Sequence, residues 1–185
     1  MNKKNKLFLA VGRLEYQKGY DLLIEIFHKY KTIIKNSKWK LYIVGDGSQK
    51  NLLENKIKKL NLLEDIILTG ATTNVKKYYK QSDIFLMTSR WEGMPLVLDE
   101  ALLFQLPIIA FDCETGPREM ITDGVNGFLV PQNDLDTFVE KIILLTNNNS
   151  LLEQLKRGCN STLEGRSDQA ILNKWKNLFE EIGGL

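Results

Sequence analysis

Histidine and cysteine are nearly absent: one histidine, His28, and two cysteines, Cys113 and Cys159, stand among 185 residues. The cysteines have no metal-ligand spacing and cannot build a disulfide framework, which points to a reducing, cytoplasmic setting and to packing roles for both. His28 lies beside Phe27, one helical turn after Ile24, and reads as a packed or surface residue, not a catalyst. No apolar run approaches the roughly 18–20 residues of a membrane span, and the lysine-rich start leads into a strand instead of the apolar core of a signal peptide. A spanning helix and export are therefore not expected. No Gly-x-Gly-x-x-Gly turn follows the first apolar strand, which argues against a dinucleotide-dependent oxidoreductase. No basic motif with interleaved aromatics is present to read bases, so nucleic acid is not an expected partner.

What is present fits a single compact domain, with 43% hydrophobic and 26% charged residues. The net charge of +2 hides a division: residues 1–80 carry 17 Lys and Arg against 7 Asp and Glu, and residues 81–185 carry 8 against 16. Lys3, Lys4, Lys6, Lys56, Lys58, Lys59, Lys76, Lys77 and Lys80 fall largely on predicted helices. They read as solvated faces, with peripheral contact to the anionic inner face of a membrane as the alternative.

Apolar strand-like runs near 7–12, 39–45, 65–69, 83–88, 107–111 and 127–130 alternate with helical patterns. This rhythm predicts an α/β fold, a doubly wound, Rossmann-like parallel sheet with helices on both faces. After Pro131 helices take over: one from Asn133-Asp134 to about Thr146, one after Ser150, and one from Ser167 to about Ile182. The last carries an apolar stripe of Ile171, Leu172, Trp175, Leu178, Phe179 and Ile182. The predicted division is a domain over residues 1–165 and a terminal helix over 166–185. Asp134-Leu135-Asp136 has the Asp-x-Asp form of some cation sites, but it follows Pro131-Gln132-Asn133 at a helix start and reads as a cap.

Two segments carry chemistry. The first strand ends in Gly12-Arg13-Leu14 with Lys18-Gly19 behind it. In an open parallel sheet ligands bind beyond the carboxyl ends of the strands, where both cations project. A guanidinium grips a diphosphate through paired hydrogen bonds and an ammonium serves as a point charge; a solvated turn is the other reading. The second segment is Arg90-Trp91-Glu92-Gly93-Met94-Pro95-Leu96-Val97-Leu98-Asp99-Glu100-Ala101. Pro95 suits a first helical position, which would leave the Leu96 and Val97 amides free to meet a phosphate. Glu92 precedes that helix end and Glu100 lies roughly 7 to 8 Å along the axis. Taken alone, the pair reads either as carboxylates for a sugar and a ribose, or as a helix cap and a solvated residue. Asp46, between Gly45 and Gly47, reads as a turn-shaping residue, with either glycine a candidate for close approach to a ligand.

Together these segments, with Leu41-Tyr42-Ile43-Val44-Gly45-Asp46-Gly47, Leu68-Thr69-Gly70, Ser82-Asp83, Leu106-Pro107-Ile108-Ile109, Gly116-Pro117-Arg118-Glu119 and Asp123-Gly124-Val125-Asn126-Gly127-Phe128-Leu129-Val130, resemble the donor-binding C-terminal half of family 4 retaining glycosyltransferases of the GT-B fold. The likeness runs in order from Leu7 to about Pro131. It implies Arg13, Lys18 and the Leu96 and Val97 amides at the donor diphosphate, and Glu100 at the ribose. It implies Glu92 as the residue at the reacting sugar, with Gly93 and Met94 beside it. Ala71, Thr72, Thr73 and Asn74 form the expected base loop, and Gly12 and Glu119 support the site. It further implies a nucleotide-sugar donor, UDP favoured over GDP by the likeness of residues 111–119 to capsule and lipid-linked oligosaccharide transferases, and no metal. The glycan or lipid-linked acceptor would bind an N-terminal domain outside this sequence, against which the terminal helix packs, so the isolated chain is expected to be inactive. Gln105 departs from the family's usual glycine before the proline-containing strand. A GT-B epimerase or phosphorylase domain, or a non-catalytic nucleotide-sugar-binding module, are the alternatives.

Overall fold

The computed structural model describes residues 6–164 and 168–183. Six strands form one parallel sheet: β1 (Lys6–Val11), β2 (Trp39–Val44), β3 (Ile66–Leu68), β4 (Ile84–Met87), β5 (Ile108–Phe111) and β6 (Gly127–Val130), in the spatial order β3-β2-β1-β4-β5-β6. Between and after them come α1 (Tyr20–Ile33), α2 (Lys50–Lys59), α3 (Val75–Gln81), α4 (Leu96–Leu103), α5 (Pro117–Met120), α6 (Leu135–Asn147), α7 (Asn149–Glu164) and α8 (Asp168–Gly183).

The sheet is buried on both faces, which is why its strands read as continuous apolar runs. Alternate residues of β1 serve opposite cores. Phe8 and Ala10 join the cluster built with α1, α2 and α6, while Leu9 joins the one built with α3 and α4. Phe8 anchors the first cluster: its ring stacks on Trp39 at 4.5 Å and meets Phe27 and Tyr30 edge-on at 6.1 and 5.9 Å. Buried Asp83 fixes the register of the central pair. Its amide donates to the Leu7 carbonyl at 2.9 Å and its carboxylate accepts the Leu7 amide at 3.1 Å, which accounts for the Ser82-Asp83 motif. The strand order reverses at β1, with β2 on one side and β4 on the other, and this switch point opens a crevice beyond their carboxyl ends.

Helix ends differ in detail from the sequence expectation. Pro95 occupies the cap of α4 and Leu96 is its first helical residue. The other end of α4 closes with Gln105 at φ +57°, its amide bonded to the Leu102 carbonyl at 2.8 Å and that of Leu106 to Ala101 at 2.9 Å. This is a Schellman closure with glutamine where glycine is favoured. The departure at Gln105 thus keeps the helix-end geometry but places a side chain in a left-handed backbone. Gln105→Gly is expected to stabilise the protein by about 0.5–1 kcal/mol, a rise of about 1–4 °C in Tm by scanning calorimetry. An unchanged or lower Tm would mean that the glutamine side chain supplies a compensating contact.

Asp134 caps α6, accepting the Thr137 amide at 3.0 Å and the Thr137 hydroxyl at 2.7 Å, as its sequence context predicts. Asp136 pairs with Lys29 at 2.6 Å instead. Cys113 and Cys159 are free and buried, and burial pushes the Cys159 thiol up to about 12. On α8, Leu172, Trp175, Leu178 and Phe179 are exposed, and Trp175 stacks on Phe179 at 5.8 Å. The side chains of Ile171 and Ile182, and the boundary expected at 165/166, lie outside the described residues, as do Lys3 and Lys4. Among the described residues no helix is long and apolar enough to cross a membrane.

Candidate functional site

Two turns cross at the carboxyl edge of the sheet. A Cβ on Gly45 would lie 1.9 Å from the Gly12 carbonyl oxygen, and one on Gly47 2.6 Å from that of Leu14. Glycine is required because the turn after β2 runs against the turn after β1, where the Leu14 amide donates to the Asp46 carbonyl at 2.9 Å. The Asp46 carboxylate accepts the Gly47 amide at 2.9 Å and so shapes its own turn, as expected.

This crossing walls an open cavity of about 400 Å³. Val11, Val44, Val75 and Val97 give it apolar sides, and Arg13, Asp46 and Glu100 give it charge. Ala71 and Thr72 of the expected base loop line it; Thr73 and Asn74 do not. Arg13 is exposed at the rim, and its guanidinium makes no hydrogen bond or ion pair with the protein among the described residues. Glu100 presents its carboxylate from the second turn of α4, with Oε2 accepting the Tyr79 hydroxyl at 2.7 Å.

Val11 and Val97 also line a second, narrow pocket with Lys18, Tyr20, Thr88, Ser89 and Glu92. The two valines therefore stand between the compartments, one holding Glu100 and the other Glu92. Glu92 Oε1 accepts both Lys18 Nζ and Ser89 Oγ at 2.6 Å. The side chains are only 16% (Lys18) and 5% (Glu92) exposed, so solvent screens this pair little. The helix-cap reading of Glu92 does not hold, since α4 receives no side-chain cap bond. Lys18 and Glu92, expected at different parts of a donor, touch one another. Burial, then the nearby Glu92 carboxylate, hold the Tyr20 phenol above its ordinary pKa. A Cβ on Gly12 would meet the Tyr20 hydroxyl at 2.8 Å, so Gly12 is kept bare by the floor of the pocket.

One expected donor is corrected. The Leu96 amide is not free; the tight turn through Pro95 gives it the Met94 carbonyl at 3.0 Å. The Val97 amide has no protein acceptor among the described residues. Gly93 and Met94 are exposed beyond the lining of both compartments, Met94 at 70%. Glu119 lies exposed on α5, also outside both linings.

Several residues that hold the site have no local sequence signal, because their partners are distant in the chain. Arg90 donates to both carboxylate oxygens of Asp21 at 2.9 and 2.7 Å and to the Tyr16 carbonyl at 2.6 Å, and lies 3.8 Å over the Tyr16 ring. Burial opposes ionisation of Asp21, but the Arg90 hydrogen bonds and charge outweigh it and hold the carboxyl below its ordinary pKa. This clamp ties the loop after β4 to the turn after β1. The Thr115 hydroxyl donates to the Glu92 carbonyl, and a Cβ on Gly116 (φ +93°) would lie 2.4 Å from Pro95, so the segment after β5 presses on the same loop.

A groove of about 420 Å³ between α1 and α6 is lined by His28 and the Lys29–Asp136 pair. It lies away from the carboxyl edge of the sheet and gathers none of the residues singled out for donor chemistry. Among the described residues, no group of three or more His, Cys, Asp or Glu side chains is arranged to hold a metal ion.

Residues 1–160 match the model of the family described as glycosyl transferases group 1. The chain belongs to that family. It is 38% identical over 177 residues to the amylovoran biosynthesis glycosyltransferase AmsD of Erwinia amylovora, covering 96% of this chain and 49% of that protein. To the poly(ribitol-phosphate) alpha-N-acetylglucosaminyltransferase of Staphylococcus aureus it is 32% identical, covering 94% of this chain and 35% of that protein. The chain thus spans half or less of the length of these relatives. A crystal structure of a mutant S. aureus TarM in complex with fondaparinux, alpha-GlcNAc-glycerol and UDP superposes with a TM-score of 0.85 at 32% identity, over 95% of this chain and 35% of that one. The pneumococcal O-GlcNAc transferase GtfA in complex with UDP and GlcNAc gives 0.82 at 28% identity, over 97% and 37%. The architecture is that of GT-B glycosyltransferases, a six-stranded parallel sheet followed by C-terminal helices.

Proposed function

We propose that this chain is the donor-binding part of a longer retaining glycosyltransferase, holding a UDP-sugar for transfer of a hexose or N-acetylhexosamine to a glycan or lipid-linked acceptor. The observation that carries the reading is the open cavity at the switch point, lined by Arg13 and Glu100, with Lys18 and Glu92 in a crevice of about 10 Å³ beside it and the amino end of α4 between them. The similar structures solved in complex with UDP support that nucleotide over others. On this reading the nucleoside fills the open cavity, with the ribose at Glu100 and the base against Ala71 and Thr72. The diphosphate crosses the Val11–Val97 divide beneath Arg13, Lys18 and the Val97 amide, and the sugar reaches Glu92.

The chemistry follows from where charge develops. As the anomeric carbon–oxygen bond breaks, negative charge grows on the leaving diphosphate, and two cations with a helix amino end stabilise it. Lys18 is already sheltered and oriented by Glu92 and can turn its ammonium towards the phosphate. Glu92 orients the sugar; in the front-face attack that the family likeness implies, it is not the nucleophile. On this reading Arg13 and Lys18 take over the role a divalent ion would play. UDP affinity measured by calorimetry is therefore expected to stay within about twofold when excess chelator replaces magnesium. Loss of binding in chelator would overturn the metal-free reading. Titration with UDP, GDP, ADP and their sugars tests the donor, and tight GDP binding without UDP binding would overturn the base assignment. Since the chain spans half or less of its relatives, it is expected on its own to transfer no sugar to a lipid-linked acceptor, and measurable transfer would overturn that.

A further inference from the structure

We propose that Tyr79 is a positioning residue for nucleotide recognition: its hydroxyl fixes the Glu100 carboxylate so that the remaining oxygen meets the cis-diol of a ribose. The inference rests on the nucleotide-sugar reading of the open cavity and names a residue on a different helix through which that reading works.

A glutamate on a solvent-facing helix turn samples several rotamers, and a diol needs its carboxylate in one of them. Tyr79 removes that freedom. It projects from α3, is 1% exposed, and donates to Glu100 Oε2 at 2.7 Å. The phenol itself cannot swing away. Its ring lies between Phe85 of β4, at 5.9 Å and 13° between planes, and Phe104 at the end of α4, at 5.4 Å and 14°. Three nearly parallel rings therefore hold one hydroxyl against one carboxylate, 21 residues away in sequence. Burial, then the contact with Glu100, push the Tyr79 phenol above its ordinary pKa, so the hydroxyl keeps its proton and always donates. Glu100 Oε1 has no protein donor among the described residues, while Glu100 lines the cavity. A carboxylate has about four lone-pair positions, enough to serve Tyr79 and two sugar hydroxyls together.

Tyr79→Phe keeps the stack and removes one oxygen. Titrations of the chain with UDP and with 2′,3′-dideoxy-UDP read the consequence. The variant is expected to lose about two- to tenfold in UDP affinity, as for one net hydrogen bond, with dideoxy-UDP affinity unchanged. The hydroxyl also reaches the Val97 carbonyl, at the longer distance of 3.4 Å. In a Glu100→Ala background the same substitution is expected to cost at most a small further loss, because its main bond is to that carboxylate. Equal weakening of both nucleotides, or no weakening of UDP in a variant whose Glu100→Ala counterpart does weaken it, would overturn the role of Tyr79 alone. If Glu100→Ala itself leaves the preference for UDP over dideoxy-UDP intact, the ribose assignment of the cavity fails and this inference with it.

Discussion

Glu100→Ala is expected to weaken UDP and UDP-sugar alike by about 10- to 150-fold, the value of a hydrogen bond to a charged carboxylate of about 1.5–3 kcal/mol. The equality of the two losses is the informative part. Glu100 lines only the open cavity and Glu92 only the narrow one, with Val11 and Val97 between them. A ligand group at Glu100 is therefore common to the free nucleotide and its sugar conjugate. The substitution also leaves the buried Tyr79 hydroxyl with only the Val97 carbonyl at 3.4 Å, and a hydrogen bond lost there costs about 0.5–1.5 kcal/mol of stability. Melting curves therefore have to accompany the titrations, so that the ligand effect is measured on folded protein. A loss confined to UDP-sugar would place Glu100 at the sugar and reverse the orientation of the donor.

How much of this was legible in the sequence follows a physical divide between near and far partners. The strands were legible because a sheet covered on both faces demands apolar runs: 83–88 became Ile84–Met87 and 107–111 became Ile108–Phe111, both buried throughout. The Asp134 cap was legible because its partner, Thr137, is three residues away. Arg13, Lys18, Glu92 and Glu100 were brought to one sheet edge by the rule that parallel strands present their carboxyl ends together. What failed or was missed depends on distant contacts. The Lys18–Glu92 bond spans 74 positions and the Arg90–Asp21 clamp 69, and nothing local marks either. The lost Leu96 donor has a local cause of another kind. Placing Pro95 inside the helix freed the next two amides on paper, whereas Pro95 at the cap folds the chain tightly enough for Met94 to take one of them.

Gly45 shows the same divide within one motif. Its turn was readable from the Gly-Asp-Gly pattern, and Asp46 does bond the Gly47 amide. The reason for glycine was not readable, because it is the Gly12 carbonyl, arriving from the other side of α1, that fills the space a Cβ would need.

The second large effect concerns Glu92, where the structure changes what is expected. A helix-cap role predicts lost stability and nothing else, but the Glu92 carboxylate binds Lys18 and Ser89 and leaves α4 uncapped. Removing it frees an ammonium beside the proposed diphosphate path. Glu92→Gln preserves shape and hydrogen-bonding capacity while deleting the charge that competes with phosphate for Lys18. UDP affinity is therefore expected to hold or to rise by a few-fold, about 0.5–1 kcal/mol. The extra affinity conferred by the sugar is expected to disappear. In the longer protein that carries an acceptor site, turnover is expected to fall by about 100-fold or more, because orientation at the reacting carbon has its greatest value in the transition state. A purely structural ion pair predicts a different pattern. Breaking a buried pair costs about 3–5 kcal/mol of stability, would lower Tm sharply, and would impair UDP and UDP-sugar together. Melts and titrations of Glu92→Gln and Glu100→Ala side by side separate the two: if Glu92→Gln weakens UDP as much as Glu100→Ala does, the carboxylates do not divide the donor between them, and the assignment of Glu92 to the sugar falls.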